Sequence, residues 1–215
     1  MAGRFITFEG GEGSGKSTQI KLLAEELIKA GRDVLTTREP GGTAEGVKIR
    51  EILVTGNADF TRTTETLLFF ADRCEHVMKK IMPAVKAGQI VLCDRFADST
   101  MAYQGYGYGD NPDQQQLIKS LYKEVVGDFK PDLTILLDVP VETGLSRSRR
   151  ADNIEVRFEN KELAFHERLR QAYLKMANDE PERFAIVDAT QPIPEIHDQI
   201  MKIIEQRGLL KAEKV

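Results

Sequence analysis

The chain has 215 residues, 41% apolar and 30% charged, the balance of a globular protein that buries a core; a collagenous, coiled-coil or largely disordered chain is excluded. That length suits a single domain with a short insertion rather than two domains joined by a linker. Lys plus Arg is 30 against 34 for Asp plus Glu, a net charge of -4, so a broad basic face for nucleic acid is disfavoured and any polyanion must be met locally.

In chain order, β-type runs alternate with helix-period segments, the pattern of βαβ units and a parallel sheet. A strand over 4–9 leads through a glycine-rich loop into a helix over 16–30, which places Ile20, Leu23, Leu27 and Ile28 on one face and ends at Gly31. A second strand covers 33–37. A long helix covers 64–87, with Pro83 placed to bend its end, and leads to a third strand over 89–94. Residues 95–112, where Gly105, Gly107 and Gly109 interleave with Tyr103, Tyr106 and Tyr108, read as an irregular connection. Helices over 114–126, 141–149, 162–177 and 195–205 and strands over 133–138 and 184–187 complete the pattern, with a second irregular stretch over 149–157.

Cys74 and Cys93 form no close pair and no metal-like spacing with the three histidines, so reduced thiols are expected. The N-terminus has no basic stretch leading into an apolar one, and the longest apolar run, 67–71, is too short for a bilayer. A soluble, cytoplasmic protein with no membrane partner is expected.

The strongest pattern is Gly10-Gly11-Glu12-Gly13-Ser14-Gly15-Lys16-Ser17, which matches G-x-x-x-x-G-K-[ST] between a predicted strand and a predicted helix. There the glycines turn backbone N–H groups toward a phosphate and the helix N-terminus adds partial positive charge. Lys16 reaches the terminal phosphates, the Ser17 hydroxyl ligates Mg2+, and Thr18 extends the set. A nucleoside triphosphate with Mg2+ is implied. The motif alone does not separate kinase, motor and switch.

Arginines stand at the carboxyl ends of two further strands, in Arg38-Glu39-Pro40-Gly41-Gly42-Thr43 and Asp94-Arg95-Phe96, with Arg50 nearby. Ligands bind along that edge of open parallel sheets. Converging arginines suggest a second phosphate opposite the first, as a nucleotide kinase requires. Glu12 is anomalous, because a carboxylate within an anion cradle repels phosphate unless a cation or hydroxyl holds it; the alternative is a side chain turned to solvent.

Taken in order, these motifs together with Leu68-Phe69-Phe70-Ala71-Asp72-Arg73, Ser99-Thr100-Met101-Ala102-Tyr103-Gln104-Gly105, Pro131-Asp132-Leu133-Thr134, Leu137-Asp138-Val139 and Asp188-Ala189-Thr190-Gln191-Pro192 resemble bacterial thymidylate kinase. The resemblance implies a P-loop kinase fold, a three-layer α/β/α domain with a five-stranded parallel sheet and a lid at 147–157. It implies transfer of the ATP γ-phosphoryl to dTMP, Mg2+ as cofactor and a homodimer. Position by position, it implies ATP binding by residues 10–18 and Gln191, and catalysis by Lys16 and Arg95 with lid arginines. For dTMP it implies Phe69 stacked on thymine and Arg73 at its carbonyl edge, Ser99, Thr100 and Gln104 beside the base, and Tyr103 under the deoxyribose. Arg38, Arg50 and Arg95 map to the acceptor phosphate, Ser17, Glu39 and Asp94 to the metal, and Glu12 to the acceptor 3′-hydroxyl or a neighbouring arginine. Ordinary packing is the alternative for Phe69 and Tyr103, and Phe70 is read as core. Where some relatives carry Asn this chain has Thr100, which changes hydrogen bonding at the base edge.

The P-loop carries no arginine, so the chain resembles the type whose charge-neutralising arginine lies on the lid. Arg147, Arg149, Arg150 and Arg157 are the candidates, Arg149 and Arg150 favoured, with solvated helix arginines as the alternative. A GTPase switch would carry Asn-Lys-x-Asp, whereas Asn160-Lys161 is followed by Glu162-Leu163. A deoxynucleoside kinase, whose acceptor is a neutral hydroxyl, would leave Arg38, Arg50 and Arg95 without a role.

Overall fold

The computed structural model describes residues 3–55, 59–149 and 161–209. Five strands, β1 (Arg4–Glu9), β2 (Val34–Arg38), β3 (Ile90–Asp94), β4 (Leu133–Asp138) and β5 (Phe184–Asp188), form one sheet in the order β2-β3-β1-β4-β5, every pairing parallel. A parallel sheet covered on both faces needs near-continuous apolar strands. Phe5, Ile6 and Phe8, Ile90 to Cys93, and Ile135 to Leu137 supply them, each at most 1% exposed. The polar exceptions Thr7 and Thr134 satisfy each other across β1 and β4, Oγ1 to Oγ1 at 2.8 Å.

Helix α1 (Lys16–Lys29) covers one face of the sheet with the C-terminal helix, Ile193–Gln206, pressing Ile20, Leu23 and Leu27 and then Ile196, Ile200 and Ile204 against Ile6, Phe8 and Leu92. On the other face Phe5 stacks on Phe129 at 5.4 Å and meets the edge of Phe96 at 5.0 Å. Beside them Phe165, Leu169 and Tyr173 pack with Tyr103, Leu136 and Phe184. The three helix–sheet–helix layers are those expected.

Boundaries differ from the sequence reading where capping or tertiary contacts decide. The helix read over 64–87 begins at Arg62, because the Thr61 side chain accepts from the Thr64 N–H. It runs as α3 (Arg62–His76), a π turn at Val77–Ile81 and a last segment, Met82–Lys86. Pro83, which has no N–H to donate, falls at the start of that segment after the widened turn. Helix α2 (Ala44–Arg50), with a π turn to Thr55, was not anticipated; Thr43 caps it through the Gly46 N–H at 3.0 Å.

The stretch 95–112 is not irregular as expected. It is helical over Ala97–Thr100 and continues as a π helix over Met101–Gly107. Its glycines serve close packing: a Cβ on Gly107 would lie 2.5 Å from the Phe165 ring, and one on Gly105 2.8 Å from Met101 Sδ. Helix propensity alone would make Gly107→Ala stabilising by up to about 1 kcal/mol. The collision reverses the sign, so urea unfolding should show a loss of about 1–3 kcal/mol; a gain would mean that the glycine is there for flexibility.

Candidate active site

The carboxyl end of the sheet gathers the chemistry. Phe8 pairs with Asp94 and Arg38 pairs with the same Asp94, so the segments leaving β1, β2 and β3 emerge side by side. Gly10 and Gly13 have φ of 137° and 64°, and a Cβ on either would lie 2.5 Å from Leu137 O or 2.0 Å from Gly144 O. Only glycine fits these two positions. Helix α1 starts behind it with Gly15 at the N-cap, no side-chain cap and no acid in the first turn, which leaves its first N–H groups to an anion. Lys16 Nζ folds back onto Gly11 O (2.9 Å), Gly10 O (3.1 Å) and Ser14 Oγ (3.2 Å). Burial, helped by the Arg95 charge, pulls the Lys16 amine down to about 8 against the attraction of Asp94, Glu12 and Glu9.

Glu12 turns inward, which removes its anomaly. Tyr103 donates its hydroxyl to Oε1, Arg95 Nη2 stands 3.7 Å from the same oxygen, and His166 Nδ1 lies 3.4 Å from Oε2. Burial would raise this carboxyl, but His166, Arg95, Tyr103 and Lys16 outweigh it and hold it at about 2. Arg95 is stretched across the same floor, Nη1 donating to Gly10 O and Ser99 Oγ, both 3.1 Å, with its guanidinium 5.0 Å over the Tyr103 ring.

Above this floor opens a cleft of about 440 Å³ lined by Glu12–Thr18, Arg38, Glu39, Arg50, Phe69, Arg73, Asp94, Arg95, Ser99, Thr100, Tyr103 and Gln104. Most of the expected site residues therefore face one space. Ser17 Oγ donates to Asp94 Oδ2 at 2.8 Å, an oxygen pair suited to a hard cation. Among the described residues no group of three or more His, Cys, Asp or Glu could hold a metal unaided. A Mg2+ ion would need phosphate oxygens and water as well, which fits a metal that arrives with a nucleotide. Glu39, expected beside that pair, lines the cleft with both oxygens engaged, Oε2 by Arg73 Nε and Oε1 by His76 Nδ1, each at 2.9 Å.

Arg73 is 1% exposed. Its guanidinium lies between the rings of Phe70 (4.7 Å) and Phe96 (5.2 Å), and Nη2 donates to Thr100 Oγ1 at 2.9 Å. Among the described residues Nη1 has no hydrogen-bond acceptor, a buried donor left for a ligand. Phe69 is half-buried on the cleft wall, whereas Phe70 is buried beneath, as read from sequence. Arg50 Nη1 donates to Pro40 O at 2.6 Å, and burial with the Arg38 charge lowers its guanidinium to about 10.

Some expected residues lie elsewhere. Gly10 and Gly11 line a separate cavity of about 20 Å³ with His166 and Tyr173. Gln191 Nε2 is bound to Asp188 Oδ2 at 3.0 Å, in a loop strapped by Arg147, which donates to Ala189 O (2.7 Å) and Thr190 O (3.3 Å). Arg149 is exposed at the end of the helix Val141–Arg149. Arg150 and Arg157 lie outside the described residues.

Sequence reasoning missed Glu9, Asp72, His76, His166 and Tyr173. Asp72 Oδ1 accepts the Gly41 N–H at 2.9 Å, and burial with the Glu39 charge raises its carboxyl to about 6. His76 is fully buried, Nε2 lying 2.7 Å from Thr37 Oγ1. The one available signal was a carboxylate, Glu9, at the end of an otherwise apolar strand.

The sequence model of the family described as Thymidylate kinase matches residues 8–200. A thymidylate kinase of Magnetococcus marinus is 50% identical over 209 residues, 96% of this chain and 98% of the relative. Those of Caulobacter vibrioides and Thermomicrobium roseum are each 50% identical, over 206 residues (95% and 97% of the two chains) and 202 residues (94% of each). With the parallel sheet, the P-loop and 50% identity over nearly the full length in agreement, this chain belongs to the thymidylate kinase family.

Proposed function

We propose that the protein transfers the γ-phosphoryl group of ATP to dTMP, giving dTDP and ADP, from a single domain with a lid at 147–157 and as a cytoplasmic homodimer. The observation that carries this reading is that the P-loop and the arginines Arg38, Arg50 and Arg95 line one cleft.

The chemistry needs positioning more than proton transfer. A phosphate monoester has a second pKa near about 6, so the acceptor is largely a dianion at neutral pH and requires no general base. The barrier is repulsion between two polyanions. On the donor side the P-loop N–H groups and Lys16 hold the ATP phosphates, and the incoming anion favours the charged form of the Lys16 amine further. On the acceptor side Arg38, Arg50 and Arg95 hold the monophosphate. Ser17 and Asp94 would hold Mg2+, which neutralises phosphate charge when bound. Arg149 and Arg150 close over the transferred group and exclude water.

Phe69 stacks on thymine, Arg73 Nη1 donates to a base carbonyl, and Thr100 and Gln104 border the same edge, supported by the free donor on Arg73. Tyr103, tied to Glu12, lies under the sugar and leaves no room for a 2′-hydroxyl. Glu12, held ionised, accepts the 3′-hydroxyl. The exposed apolar side chains of Leu67 on α3, Met78 beyond it and Val47 on α2 support a partner surface.

In a coupled ADP-release assay with MgATP, dTMP should be preferred over dUMP, dCMP, GMP and thymidine; preference for GMP or for thymidine contradicts the reading. Lys16→Ala should lower turnover at least ~100-fold with an unchanged melting temperature, and near-normal turnover would remove the P-loop from the mechanism. Phe69→Ala should weaken the acceptor by about 1–3 kcal/mol and leave the KM for MgATP in place.

A further inference from the structure

Glu9 ends β1 immediately before the P-loop, is fully buried, and has no part in the chemistry above. Its Oε1 accepts the Phe96 N–H at 2.8 Å; its Oε2 accepts the Ser99 hydroxyl at 2.6 Å and the Tyr173 hydroxyl at 3.0 Å. Those hydroxyls, 2.8 Å apart, are the ones that Arg95 Nη1 reaches, at 3.1 Å to Ser99 and 3.3 Å to Tyr173. A hydroxyl carries one hydrogen and two lone pairs. An ionised carboxylate draws the hydrogens to itself and leaves the lone pairs for Arg95. A protonated acid or an amide offers a donor of its own and competes with the guanidinium for those lone pairs.

The backbone points the same way. Arg95 has φ 69°, the one non-glycine residue with positive φ among the described residues. Such a conformation costs on the order of 1–3 kcal/mol and persists where the surroundings over-determine it. Here the Arg95 N–H is fixed by Phe8 O at 3.0 Å, and the next N–H, that of Phe96, by Glu9.

We infer that Glu9 is a positioning residue: as a carboxylate it orients Ser99 and Tyr173 to accept from Arg95 and, through Phe96, fixes the left-handed turn that presents Arg95 to the acceptor phosphate. The inference rests on the acceptor-side role of Arg95 proposed above.

The groups facing Glu9 are Asp98, which is itself paired with Arg183, and Arg95, Lys16, Cys93, Tyr103 and Tyr173. Burial first, and the Asp98 charge second, raise the Glu9 carboxyl to about 7 against the Ser99 hydrogen bond, the Arg95 charge and the Phe96 N–H. A raised acid contributes stability below its unfolded pKa that is lost as pH rises through the folded one. Stability from Glu9 therefore declines between pH 4.5 and about 7, while its hold on Arg95 is gained as the folded-state carboxyl ionises through pH about 7.

Two readouts test this in Glu9→Gln and in Ser99→Ala/Tyr173→Phe, which keeps the carboxylate but removes the link. The first needs no substrate: 15N NMR of the arginine side chains, with Arg95 assigned by Arg95→Lys. Wild type should show restrained Arg95 Nη signals that lose restraint as pH falls through about 7, and both variants should show the less restrained signals at every pH. The second is steady-state kinetics at pH 8. Both variants should raise the KM for dTMP roughly tenfold with the KM for MgATP unmoved. Wild type should approach the variants as pH is lowered, the ratio between proteins removing the titration of the dTMP phosphate. Arg95 signals identical in wild type and Glu9→Gln, or a variant that weakens MgATP as much as dTMP, would overturn the inference. If wild type does not turn over dTMP, the acceptor assignment fails and the NMR comparison alone decides the role of Glu9.

Discussion

The pairing of β1 with β3 is the constraint on which the site depends. Because Phe8 lies opposite Asp94, the P-loop and the Asp94–Arg95 turn leave the sheet at the same level, and a cation of one is at once a neighbour of the other. A shift of this register would separate Ser17 from Asp94, now 2.8 Å apart, and Arg95 from Gly10 O, now 3.1 Å away. The pairing is held by the apolar sequence of both strands, buried on both faces, so the core and the chemistry are specified by the same residues.

A second constraint is charge. The chain is acidic, yet its cleft collects Lys16, Arg38, Arg50, Arg73 and Arg95. Burying unpaired cations is costly. Carboxylates set around the cleft offset much of that cost: Glu39 takes Arg73, while Glu12 faces Arg95 and feels the charge of Lys16. Glu9 adds its charge from beneath the floor. The net figure of -4 therefore conceals a paired interior. The donors left over, such as Arg73 Nη1 and the first N–H groups of α1, mark where an anion or a base carbonyl can enter.

The P-loop was legible from sequence because strand, loop and helix are contiguous and its residue types are set by local geometry. The strands were legible because burial on both faces demands unbroken apolar runs. The segment 95–112 was misread, since glycine and tyrosine suggest a loop until Phe165 is known to pack against Gly107. Glu9 with Tyr173 was illegible for a related reason: 164 residues separate the partners, and no spacing rule connects them. Residues such as Phe69 and Arg73 came from the family resemblance, and Arg73 is held by Glu39, itself bound to His76, contacts that periodicity does not reveal.

The central claim is that one cleft holds both nucleotides with their phosphates facing each other. A compound that joins adenosine and thymidine through a chain of phosphates tests it, because linking two ligands of one cleft makes the second contact intramolecular. Calorimetric titration should give an affinity at least ~100-fold above that of ATP or dTMP alone, with displacement by either nucleotide. An affinity no better than that of one nucleotide, or displacement by only one of them, would contradict the account.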